Sequence, residues 1–269
     1  MPAANAAPRV KGVKIKRSLI IGSEALRLPE VGDPARPKGI PDEHRYSWRV
    51  YVRELPGAPD MTAFLQKVTF RLHDSYRDMP GGGNLRVSEN RPFEVRETGW
   101  GGFMVDIKFH FQSIAAEKPH SRQHYLQLEP YGDAGQQEDQ RKAGRVVSEQ
   151  YEEIEFFDPT EALYNALTDD SQFDYLDKGR GKGGKGGKGR GSMSAFVDVE
   201  ERGVGLPAKS SKDNEFSQAM EEIVLEKLKA ALQQVEKETN DKLARKEALE
   251  KQLQEYATTG DVPPPPRKR

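Results

Sequence analysis

Residues 103–111 read Phe103-Met104-Val105-Asp106-Ile107-Lys108-Phe109-His110-Phe111. Phe103, Val105, Ile107, Phe109 and Phe111 fall on one face of an extended chain, and Met104, Asp106, Lys108 and His110 on the other. A period of two held over this whole stretch describes an antiparallel strand with one buried and one solvated face. Working outward, Trp48, Val50 and Val52 alternate in the same way, as do Val68, Phe70 and Leu72, then Phe93 and Val95. Weaker strand signals lie near Val13–Ile21, Tyr125–Leu128 and Ile154–Phe156. Clusters of Pro, Gly, Asp and Asn at 29–42, 56–60 and 78–92 separate them. Many short strands joined by turns predict an all-β sandwich rather than a parallel α/β sheet. A short helix is expected to close the domain. Asp158 reads as its N-cap, with Pro159 at the first helical position and Glu161 completing a capping-box-like pattern before Leu163 and Leu167.

The rest of the chain is read by composition. Hydrophobic residues make up 35% of the 269 residues and charged residues 32%, so part of the chain is expected to lie outside a folded core. Lys and Arg (42) nearly cancel Asp and Glu (43), and net charge predicts no polyanionic partner. With no Cys, disulfides, thiolate metal sites and Cys nucleophiles are excluded. No signal-peptide pattern and no apolar run near the ~20 residues that cross a bilayer are seen, so a soluble, intracellular protein with no membrane contact is expected.

Charge is nevertheless segregated. Residues 149–177 hold ten acids and no Lys or Arg, and residues 179–191 hold eight Gly and five Lys or Arg. The span 171–214 is therefore expected to be a disordered linker. Its cations could add a weak, sequence-blind DNA contact through 179–191. Residues 215–256 read as a helix, and 257–269 as a basic tail. Leu225, Leu228, Leu232 and Val235 keep 3-4-3 spacing, and so do Leu249, Leu253 and Tyr256; between them the same register puts Thr239, Lys242 and Lys246 in the seam. Such a stripe needs a second helix, from a partner or another copy of the chain.

Signals for catalysis are poor, and no cofactor is expected. His120 and His124 stand four apart but flank a loop or strand start rather than a helix. The Gly-rich tract matches a nucleotide-loop pattern only because it is mostly glycine. Two loop segments stand out instead: Leu72-His73-Asp74-Ser75-Tyr76 after one strand, and Glu97-Thr98-Gly99-Trp100-Gly101-Gly102-Phe103 before the strongest one. Glycines on both sides of Trp100 leave its indole unshielded. Two readings are open on these residues alone. Either Tyr76 and Trp100 cap the core while His73 and Ser75 satisfy loop backbone, or the rings are presented to a ligand.

Taken together the segments resemble the YEATS family, whose pattern L-H-x-S-[FY], then P-[FY]-x-[VI]-x-E-x-G-[WY]-x-x-F, is met by Leu72–Tyr76 and by Pro92-Phe93-Glu94-Val95-Arg96-Glu97-Thr98-Gly99-Trp100 with Phe103. The resemblance implies an immunoglobulin-like sandwich over 9–170 that reads acylated lysine on histone tails in the nucleus. Carried over residue by residue, it implies a binding cage of His44, His73, Ser75, Tyr76, Gly99, Trp100, Gly101, Gly102 and Phe103. Exposed Tyr76 and Trp100 rings at the sandwich tip would hold the flat amide between them, and Ser75 and the Trp100 backbone N–H would bond it. Asp74 would point away from Ser75 by strand alternation. Arg9-Val10-Lys11-Gly12-Val13, Val146-Val147-Ser148-Glu149 with Phe157-Asp158-Pro159, and the C-terminal helix resemble the subgroup shared by histone-acetyltransferase and chromatin-remodelling complexes. Docking into those complexes would then run through Leu225, Leu228, Leu232 and Val235. Residues 132–145 read as an insertion, and 77–84 as a long Gly-rich loop.

Overall fold

The computed structural model describes residues 7–56, 58–79, 83–169, 206–211 and 214–259. The expected Gly/Lys-rich tract at 179–191, most of the expected linker and the residues after 259 lie outside them. The chain divides into two units, Met1–Gly205 and Leu206–Arg269.

The first unit is a sandwich of two four-stranded antiparallel sheets. Its strands are β1 (Lys14–Arg27), β2 (Tyr46–Arg53), β3 (Leu65–Arg71), β4 (Leu85–Ser88), β5 (Phe93–Gly99), β6 (Met104–Phe111), β7 (His120–Tyr125) and β8 (Arg145–Phe157). Among the described residues two helices complete it, α1 (Ala134–Ala143) and α2 (Glu161–Thr168). One sheet has the order β5-β2-β1-β8 and the other β4-β3-β6-β7. The pleat of β6 follows its sequence: Val105, Ile107, Phe109 and Phe111 are buried and Met104, Asp106 and Lys108 exposed. Across the layer they meet Val50, Val52, Phe93 and Val95 in one hydrophobic core with Phe64, Phe70 and Phe156. Burying such side chains contributes about 1.5–3 kcal/mol each, which is what holds the sheets face to face.

Polar side chains tie the sheets as well. His124 on β7 is buried and bonded at both ring nitrogens, to Ser23 Oγ of β1 at 2.9 Å and to Gln150 Oε1 of β8 at 3.2 Å. The Gln150 oxygen can only accept, so Nδ1 carries the proton and Nε2 accepts from Ser23. Burial lowers the His124 pKa, and bonding to Gln150 only partly opposes this. Burial likewise lowers His44, His110 and His120. The folded state therefore holds these rings neutral, while the unfolded chain takes up protons near pH 6.5. Stability is full above that pH and falls as the pH drops below it. Denaturant midpoints at pH 7.5 and 5.5 are expected to show a clear loss at the lower pH, and His124→Gln should flatten the difference; equal midpoints for the parent chain would contradict this.

Several local readings need correction. The N-cap of α2 is Thr160, whose Oγ1 accepts from the Leu163 N–H at 3.1 Å. Asp158 instead sits at φ 45° and accepts the Gly12 N–H at 2.7 Å, which anchors the N-terminal segment. Residues 73–76 form a turn rather than continuing β3. Asp74–Tyr76 is one turn of 3-10 helix, so strand alternation does not set the direction of Asp74. That carboxylate is held by Asn84 Nδ2 at 2.9 Å and Arg77 at 2.9 Å. The span 78–92, read as turns, contains β4.

In the second unit, α3 (Gln218–Thr259) runs without a break through Thr239, Lys242 and Lys246. The Ser217 hydroxyl accepts the Met220 N–H at 3.1 Å, and the Gln218 N–H reaches Pro207 O at 2.9 Å. Residues 206–211, expected as linker, thus pack onto the start of this helix. Leu225, Leu228, Leu232, Val235, Leu249 and Leu253 are all exposed. No helix of the described residues is long and apolar enough to cross a membrane.

Candidate functional site

The site follows from where the chain changes sheets. β5 belongs to one sheet and β6 to the other, so Trp100–Phe103 carries the chain across one end of the sandwich. β2 starts at that same end, because Tyr46 pairs with Gly99. β3 also finishes there, with Arg71 opposite Asp106 near the start of β6. Three segments distant in sequence are thereby gathered: His44 before β2, His73–Tyr76 with Met79 after β3, and Trp100–Phe103.

They line a cleft of about 80 Å³ formed by His44, His73, Ser75, Tyr76, Met79, Trp100, Gly101, Gly102 and Phe103. Ligand sites for drug-sized molecules usually span ~300–1,000 Å³, so this cleft suits one small flat group rather than a nucleotide or an organic cofactor. Among the described residues no Asp or Glu lines it. Two larger concavities, about 670 and 950 Å³, are open hollows on the outer sheet faces. In the first, Arg49 is spent on Glu24 at 2.6 Å and Glu94 at 3.1 Å, and Arg96 on Glu94 at 2.6 Å.

The two aromatic rings play unequal parts. Trp100 is 64% exposed, as the flanking glycines led one to expect. Tyr76 is only 4% exposed and is not a free ring at the tip. It forms the rear wall, 5.8 Å from Trp48 edge-on and 5.5 Å from Phe103 between centroids. Its hydroxyl donates to Thr98 O at 2.9 Å and accepts from Trp48 Nε1 at 3.3 Å. Burial raises its pKa to about 12, so it stays a neutral donor. Phe103 is half-buried, 5.8 Å from Trp48 and 6.0 Å from His73.

Both histidines are oriented by neighbours. His44 is 2% exposed and its Nδ1 lies 2.7 Å from Thr98 Oγ1. Its pKa is lowered, first by burial. His73 is exposed and caps the following turn: its Nδ1 accepts the Ser75 N–H at 3.2 Å and lies 3.0 Å from Ser75 Oγ. An accepting Nδ1 leaves the proton on Nε2. Among the described residues the wall thus offers aromatic and imidazole rings, a hydroxyl at Ser75 and no carboxylate.

The glycines divide by role. Gly99 is buried and does not line the cleft, contrary to expectation. A Cβ there would stand 2.4 Å from the Tyr76 hydroxyl oxygen, so its bareness is what lets Tyr76 seat. A Cβ at Gly102 would stand 2.5 Å from the Leu126 carbonyl oxygen, whereas at Gly101 it would meet nothing within 4 Å. Sequence reasoning missed Met79, which follows the 3-10 turn at a position no periodicity marks. It also missed the supporting role of Trp48, whose period-two placement signalled only burial.

The description YEATS family matches residues 43–130, a span that contains every residue lining the cleft. A protein named AF-9 homolog from Emericella nidulans is 36% identical, covering 100% of this chain and 92% of that protein. AF-9 homologs from Schizosaccharomyces pombe and Saccharomyces cerevisiae are 32% and 28% identical, covering 85% and 91% of this chain and 88% and 94% of theirs. A solved structure of the Yaf9 YEATS domain bound to H3K27ac is 34% identical with a TM-score of 0.48, covering 59% of this chain and 96% of that one. With over a third of positions shared along almost the whole of the Emericella relative, and with the Leu72–Tyr76 and Pro92–Phe103 motifs meeting at one cleft, the chain belongs to the YEATS family.

Proposed function

We propose that this chain is a nuclear chromatin reader that binds acetylated or crotonylated lysine on histone tails and serves as a subunit of histone-acetyltransferase and remodelling complexes. The observation that carries the reading is a small cleft walled by Tyr76 and Phe103, overhung by the exposed Trp100 indole, and free of carboxylates among the described residues that line it.

Selectivity follows from charge. Stripping water from a lysine ammonium without a counter-ion costs several kcal/mol. Acylation removes that charge and leaves a planar amide. Its faces stack on aromatic rings for about 0.5–1.5 kcal/mol per contact, and each hydrogen bond, with Ser75 as one partner, contributes about 1 kcal/mol. Net of ordering costs, this supports a Kd in the ~μM–mM range. Docking is assigned to α3, where Leu225, Leu228, Leu232 and Val235 form an uncovered stripe on a helix too narrow to bury it alone.

The test titrates the full chain with acetylated, crotonylated and unmodified histone-tail peptides. Acylated tails are expected to bind at least about tenfold tighter than the unmodified one; equal affinities would overturn the reading. For docking, Leu228→Asp combined with Leu232→Asp should lose co-purifying acetyltransferase activity while keeping peptide affinity. Retention of that activity would remove α3 from the interface.

A further inference from the structure

Behind Tyr76, the open side of the sandwich is closed by an ion pair that the binding reaction does not use. β4 and β5 are edge strands of opposite sheets. On β5, Phe93 and Val95 are buried, so the pleat turns Glu97 inward with them. On β4, Leu85 and Val87 are exposed, so Arg86 turns inward. The two meet across the gap, with Arg86 Nε donating to Glu97 Oε1 at 2.8 Å and side chains only 17% and 24% exposed. Arg86 Nη1 also donates to Gly83 O at 2.7 Å.

This pair sits within electrostatic reach of the cleft. Burial sets the direction of the shifts at both His44 and Tyr76, and the Glu97 charge acts on each as a further influence. At Tyr76 the Arg86 charge acts in the opposite sense. The other charges facing His44 are Glu43 and Arg36. Asp74, the acid of the neighbouring turn, is held by Arg77 and Asn84. Glu97 is thus an inward-facing carboxylate behind the rear wall, not among the residues that line the cleft, and Arg86 is what offsets it.

We propose that Arg86 is a specificity-determining residue: by binding Glu97 it keeps the rear wall neutral, so that the cleft provides no counter-charge for the ammonium of an unmodified lysine. The inference rests on the acyl-lysine reading. In that setting Arg86 is a positioning residue that acts through Glu97. Without it, a partly buried carboxylate behind Tyr76 would attract the cation, and the attraction would be screened less than at the surface.

The experiment measures the affinity ratio of acetylated to unmodified tail peptide for the full chain, with thermal unfolding followed in parallel. Arg86→Gln is expected to lower the ratio about five- to tenfold, mainly through tighter binding of the unmodified peptide. Arg86→Lys should largely keep the ratio, and adding Glu97→Gln to Arg86→Gln should restore it whatever the loss in melting temperature. A purely structural pair would weaken both peptides alike, so an unchanged ratio in Arg86→Gln, or no restoration in the double variant, overturns the proposal. If Arg86→Gln does not fold, Glu97→Gln alone decides: it should keep or raise the ratio, and a fall overturns the proposal. A parent chain that fails to discriminate overturns the acyl-lysine reading itself, whereas a discriminating parent with an unresponsive Arg86→Gln overturns only this inference.

Discussion

Gly99→Ala is expected to unseat Tyr76, destabilise the sandwich and abolish tail binding together. The added methyl would stand 2.4 Å from the tyrosine oxygen, and the hydroxyl cannot give way without leaving Thr98 O and Trp48 Nε1. Overpacking of this kind costs about 1–3 kcal/mol, and the stranded Trp48 N–H and Thr98 carbonyl add desolvation costs of about 1–3 kcal/mol each where no water reaches them. The melting temperature should fall by several degrees. The displaced ring has the cleft as its nearest free space, so affinity should be lost even in the folded fraction. Gly101→Ala is the control two residues on, where the methyl meets nothing within 4 Å and the melting temperature should not change. Differential scanning calorimetry with peptide titration of both variants checks the contrast, and equal melting temperatures would show that Tyr76 is not held as described.

Trp100→Ala should give the opposite signature, loss of binding with no loss of fold. At 64% exposed the indole contributes little to the core. On a bound amide it would supply both buried area and an aromatic contact, together about 1.5–3 kcal/mol, or roughly ten- to a hundredfold in Kd. Trp100→Phe should recover part of this. Calorimetric titration with an acetylated tail peptide reads the affinity. A melting temperature that drops with Trp100→Ala would mean that the ring caps the core, the alternative left open by sequence alone.

How much of this was legible in the sequence depended on which faces were covered. β6 announced itself because only one of its faces is buried, so its side chains alternate. β1 gave a weaker signal and was read short, ending at Ile21 rather than Arg27. Its outer face is covered too, by Tyr51 lying over Gly22 and by Tyr151 bonded to Ser18, so Leu19, Ile20 and Ile21 are all buried and no period shows. α1 buries no residue and has no apolar face to betray it, although Asp133 and Gln136 form a capping box that could have marked its start. Within the cleft, the motif residues could be named from their pattern. Their depth could not. That Tyr76 is wall and Trp100 is overhang depends on Gly99, whose role is a distance of approach between segments far apart in sequence.

Because the cleft is assembled where the polypeptide passes from one layer to the other, its width is hostage to how closely the layers stack. A volume change at Val95 or Phe109, neither of which touches a ligand, would shift the rear wall against the overhang and retune which side-chain modification fits. Variation in ligand preference among relatives of this chain should therefore be sought in interior residues as well as around the rim, and two chains with identical rims need not read the same mark.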